Sequence, residues 1–86
     1  MGAGIDAVKA EIFDNFEVSK WNERRDEITD VTVISFAAEE RNFAVSVSDE
    51  FDRDYDPNQV DLSKLGPLLR SSKDGKATVR RGAISA

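Results

Sequence analysis

The sequence predicts a small α+β domain in which an antiparallel sheet of three to four strands carries helices packed on one face. Three observations lead there. An apolar stripe at helical spacing opens the chain, β-branched and strictly alternating segments occupy its middle, and 86 residues leave room for one modest core. The expected order is α-β-β-β-α-β, with residues 1–86 forming one domain and residues 1–3 and 85–86 frayed.

The first element rests on Ile5, Val8, Ile12 and Phe16, which recur at helical spacing, with Ala3, Ala7 and Ala10 as good helix formers between them. Asp6, Lys9, Glu11 and Asp14 take the wet side. Residues 15–26 fit two patterns. Phe16 to Lys20 alternates as a strand does, whereas Val18, Trp21, Arg25 and Ile28 match a helical stripe. With Asn15 as a stop, the expectation is a strand ending near Trp21, and the polar run Asn22–Glu27 becomes a turn.

Val31 to Phe36 is rich in β-branched residues and apolar on both faces, the pattern of an inner strand. Phe43, Val45 and Val47 alternate with Ala44, Ser46 and Ser48, which marks one buried face. The segment Ala37–Asn42 between them has hairpin-loop length. Ser48 and Asp49 are capping candidates for a short helical turn that ends at Asp56-Pro57-Asn58, since proline disfavours helix in the residue before it.

Asp61 can cap a further short helix with Leu62, Leu65, Leu68 and Leu69 on one side. Gly66-Pro67 interrupts it, so one turn followed by a restart at Pro67 is expected. Asp74-Gly75 either ends this helix or turns a hairpin from a strand over Leu68–Lys73. Lys76 to Ile84 closes the chain as a strand, with Val79 inward and the paired arginines marking an edge.

Composition narrows the chemistry. The chain has no cysteine and no histidine. Disulfides, thiolate or imidazole metal sites, and Ser–His or Cys–His nucleophiles are therefore excluded. The missing disulfides favour a reducing compartment, and with no apolar span or signal peptide the expected location is the cytoplasm. Met1 to Asp6 begins like a myristoylation site but has Asp6 where Ser or Thr is required.

Carboxylates remain. Asp52, Asp54, Asp56 and Asn58 fall at positions one, three, five and seven of a calcium loop, but Pro57 replaces its glycine and Ser63 its bidentate glutamate. Gly75-Lys76 resembles the end of a phosphate loop, with Ala77 where Ser or Thr belongs. Paired carboxylates can act as acid and base, but only in a cleft that raises one pKa, and a chain this short offers little room for one. No cofactor, metal or catalytic group is expected.

Charge is unevenly spread. Net charge is −5, yet five of the 12 bases and only one of the 17 acids lie from Arg70 onward. Trp21, Phe51 and Tyr55 sit among polar residues, and interfaces are enriched in tryptophan and tyrosine. The leading expectation is a non-catalytic protein-binding module, such as an inhibitor, adaptor or immunity-type regulator. It would meet a basic partner surface through Trp21, Phe51, Asp52, Asp54, Tyr55 and Asp56. The alternative is a nucleic-acid binder using Arg70, Lys73, Lys76, Arg80 and Arg81, although no aromatic follows Tyr55 for base stacking.

Overall fold

A computed structural model describes residues 3–86. Helix α1 (Gly4–Asn15) is followed by strands β1 (Ser19–Asp26), β2 (Val31–Ala38) and β3 (Arg41–Ser48). A short helix α2 (Asp49–Arg53), a 3-10 turn (Leu62–Lys64) and helix α3 (Leu65–Ser71) then lead to strands β4 (Lys76–Arg80) and β5 (Ala83–Ser85). The class is α+β and the element order matches the expectation in outline. The Cα radius of gyration, 11.8 Å, equals the roughly 12 Å of a folded chain this long.

The sheet differs from the expected one. It has five strands in the order β1-β2-β3-β4-β5, and the β3–β4 pair is parallel. A parallel neighbour needs a long crossover, and the segment from α2 through α3 supplies it by carrying the chain back across the sheet. Asp74-Gly75 accordingly ends the crossover and feeds β4; Leu68 lies in α3 and no hairpin forms there.

Strand β1 extends through Asp26 and absorbs most of the polar run expected to be a turn. As an edge strand it needs backbone pairing with β2 more than an apolar face, and charges on an edge discourage further pairing. The terminal strand is in fact two, joined at Arg81-Gly82, where Gly82 takes φ +74°. The β2–β3 connection is shorter than expected, only Glu39-Glu40, both left-handed at φ 54° and 62°.

The core lies on one face of the sheet. Strand alternation delivers Ile34 and Phe36 from β2, Phe43, Val45 and Val47 from β3, and Ala77 and Val79 from β4 to that face, where all are buried. Val8 and Ile12 of α1, Phe51 of α2, and Leu62, Leu65 and Leu69 cover them. Ser48 caps α2 by accepting from Phe51 N–H at 3.1 Å, and Asp61 caps the 3-10 turn through Ser63 N–H. The chain restarts as a helix at Leu65, two residues before Pro67.

Helix α1 docks end-on against α2. A Cβ on Gly4 would lie 2.7 Å from Asp52 Cα and 2.8 Å from the Phe51 carbonyl oxygen, so only glycine fits this approach. Of the residues expected to fray, 1 and 2 lie outside the described residues. The Ala3 carbonyl accepts from Ala7 N–H at 3.0 Å, and Ser85 pairs with Thr78. Among the described residues no helix is long and apolar enough to cross a membrane.

Candidate functional site

Aromatic side chains form a continuous path from the core to the surface. Phe43, Phe36 and Phe16 meet pairwise with ring centroids 5.1–5.4 Å apart. Trp21 stacks on Phe36 at 5.9 Å, and Phe13 stacks on Trp21 at 4.7 Å with the planes 22° apart. Phe13 is 53% exposed, so the outermost ring of this path faces solvent. The other exposed large hydrophobe among the described residues, Ile28, stands at the β1–β2 turn, where a single apolar side chain is ordinary.

A β-bulge lies beside the ledge. Ser19 pairs with Ala37 and Asn22 with Ser35, so β1 has one residue more than β2 between these pairs. Lys20 absorbs the excess in the left-handed region at φ 53°. The register of Asn22 to Asp26 carries Trp21 to the Phe36 side of the sheet, beneath α1, and the extra residue lets Ser19 pair with Ala37 without changing that side.

There Trp21 Nε1 donates to Glu23 Oε2 at 2.8 Å, and Lys9 Nζ of α1 lies 2.9 Å from Glu23 Oε1. The Trp21 hydrogen bond, then the Lys9 ammonium, hold the Glu23 carboxyl below its ordinary range. Asp14 and Glu17, both exposed, follow Phe13 closely in the chain.

The six residues expected at a partner surface do not gather in one place. Trp21 joins α1 near Phe13, while Asp52 joins it at Ile5, so eight residues of helix, about 12 Å, separate the two points. Phe51, expected at the surface, is 2% exposed and belongs to the core, because α2 presents it to the sheet. Asp52 Oδ1 accepts from Ile5 N–H. Tyr55 packs half-buried against Phe51 at 5.4 Å. Asp54 lies near Arg53 and Arg81, and Asp56 accepts from Asn58 N–H at 2.9 Å to form a turn.

The basic residues are also divided. Arg70 donates to both Glu39 oxygens and to the Asn15 carbonyl, and its guanidinium covers the Phe16 ring at 4.3 Å. Its charge is therefore used inside the molecule. Arg81 faces Asp54. Lys73 is exposed beyond α3, and only Lys76 and Arg80 share a surface, alternating outward along β4.

Among the described residues, every carboxylate with a displaced pKa is displaced downward. Arg25 lowers Asp49, Arg70 lowers Glu39, and hydrogen bonds to nearby turn residues lower Asp26, Asp61 and Asp74. No cluster of three or more acids is placed to hold a metal ion among these residues. A concavity of about 760 Å³ forms an open trough between Val60, Pro67, Leu68 and Ile84.

Phe13 is the site residue that the helical pattern passed over. It falls beside the Ile5–Val8–Ile12–Phe16 stripe, and a large aromatic just off a buried stripe, next to Asp14, was the available signal. No protein-family model, curated protein or solved structure matches the chain.

Proposed function

We propose that this chain is a non-catalytic protein-binding module, an inhibitor, adaptor or immunity-type regulator of the cytoplasm, whose contact centre is the Phe13–Trp21 ledge. The observation that carries this reading is an exposed phenylalanine stacked at 4.7 Å on an indole that is itself anchored by the core. A rigid aromatic platform loses little conformational entropy when covered, and such anchors dominate binding energies. Asp14 and Glu17, close to Phe13 in the chain, suit a basic partner surface. The absence of histidine and cysteine, together with carboxylates held in their ionised form, supports binding over catalysis. Asp54, Tyr55 and Asp56 offer a separate acidic contact for the same class of partner.

The chain's single tryptophan makes the test direct. A partner captured from source-cell extract is titrated against the purified chain while Trp21 emission is followed. Binding should shift that emission, and Phe13→Ser should weaken affinity by roughly thirtyfold, the scale of an interface hot spot. Phe13→Ser should leave far-ultraviolet circular dichroism unchanged. A partner that binds the variant as tightly as the native chain disproves the ledge as its contact.

A further inference from the structure

The sheet has a second face, turned away from the helices, and no layer covers it. The strand alternation that buries Ile34 and Val45 sends Val31, Val33 and Ser35 of β2, Ala44 and Ser46 of β3, and Thr78 of β4 to this side. The register aligns Arg24, Val33, Ser46 and Thr78 in one row across four strands, and Asn22, Ser35, Ala44 and Lys76 in the next. The floor is small and partly apolar. Its flanks are cationic, with Arg24 on β1 and Lys76 and Arg80 on β4.

Seven of the twelve cations stand in no ion pair among the described residues, and three of them lie on these flanks. Lys9, Arg25, Arg53, Arg70 and Arg81 all stand in ion pairs, whereas among the described residues Arg24, Lys76 and Arg80 make none. Two acids accompany them: Asp26, opposite Val31, accepts from Ile28 N–H at 3.0 Å and feels the Arg24 charge, and Asp74 accepts from Lys76 N–H at 3.1 Å and feels the Lys76 charge. Three cations against two acids still leave this face of a net-negative chain positive. Strand β2 carries Val31 and Val33 to this side, where both are half-buried among the neighbouring side chains.

We propose that this face seats an amphipathic helix of a partner protein, with acidic residues along both flanks of its apolar stripe. Three inter-strand steps place the β1 and β4 flanks roughly 14 Å apart, enough for a helix about 10–12 Å across. The eight-residue strands β2 and β3 span about 27 Å, the length of some 18 helical residues. Small floor residues let the helix approach closely, and its acids meet Arg24 on one side and Lys76 and Arg80 on the other. A nucleic acid fits less well. The face has no aromatic to stack on a base.

The surface is separate from the Phe13–Trp21 ledge and stands or falls independently of it. The test is an amide NMR titration with two synthetic helices of about 18 residues, sharing a Leu/Ala stripe and flanked by Glu in one and Lys in the other. The Glu-flanked helix should shift the amides of Val33, Ser46 and Thr78 and leave Trp21 emission unmoved. Its affinity should fall at least about tenfold with Lys flanks, in the R24E/K76E/R80E chain, and on raising salt. Should the triple variant misfold, the flank swap and the salt series on the native chain decide the matter. The proposal is overturned if millimolar Glu-flanked peptide leaves those amides in place, if both peptides bind equally, or if a single-stranded DNA or duplex RNA oligonucleotide shifts the same amides more strongly.

Discussion

Asp52 Oδ1 accepts a hydrogen bond from Ile5 N–H at 2.8 Å, joining residues 47 apart in the chain. Helix α1 has Ala3 at its N-cap position, with no side-chain cap of its own. Helix α2 therefore supplies the missing acceptor, and its carboxylate also opposes the positive end of the α1 dipole.

Asp52→Ala removes that cap and should cost about 1 kcal/mol, within the roughly 0.5–2 kcal/mol range for lost N-caps. For a chain of this size that is a fall in Tm of about 4–8 °C. Asp52→Asn keeps an acceptor oxygen and should retain most of the stability. Denaturant titration of the three chains measures the difference. Equal destabilisation by both substitutions would argue against capping.

Lys20 holds the bulge in a left-handed conformation that disfavours any side chain. Lys20→Gly should raise stability by about 0.5 kcal/mol, the relief of strain being partly offset by a freer unfolded chain. Lys20→Val should lower it by about 1–2 kcal/mol, because a β-branched residue adopts this region poorly. Deleting Lys20 removes the excess residue and leaves Trp21 on the Phe36 side of the sheet, so Trp21 emission should change little.

The Glu39-Glu40 turn is left-handed at both residues, a geometry in which glycine is favoured at the second place. Glu39 is engaged by Arg70, whereas among the described residues no side-chain hydrogen bond or ion pair holds Glu40. Glu40→Gly should accordingly stabilise the chain by about 0.5–1 kcal/mol in thermal unfolding. Glu39→Gly should do less well, since it also discards the Arg70 pair.

Acid should loosen the contact of α1 with β1. Glu23 has a lowered pKa in the folded chain, so its contribution is fully present above the ordinary glutamate value of 4.5 and is lost as pH falls through the folded value. Its loss releases Trp21 Nε1 and Lys9 together. Trp21 emission should change below about pH 4.5, and Glu23→Gln should flatten that change. Asp26, Glu39, Asp49, Asp61 and Asp74 are lowered too, so overall stability should decline across the same acidic range. An unfolding free energy that is flat between about pH 7 and 3 would contradict these assignments.

Much of this was legible in the chain itself, wherever a residue's neighbours in sequence decide its environment. The Ile5–Val8–Ile12–Phe16 stripe, the alternation of Phe43, Val45 and Val47, and the caps at Ser48 and Asp61 are local patterns, and the α+β class follows from them. The absence of imidazole and thiol likewise narrows the chemistry without any coordinates. Tertiary structure decided what depends on distant partners. Polar β1 is a strand because β2 offers it backbone hydrogen bonds, and β4 runs parallel to β3 because the crossover returns it that way. Asp52 is a cap because Ile5 arrives beside it, and Phe13 becomes the outer ring of a ledge because pairing with β2 brings Trp21 to the Phe36 side of the sheet, beneath α1. Local periodicity reports which face a side chain takes; it carries no information on which remote group will be waiting there.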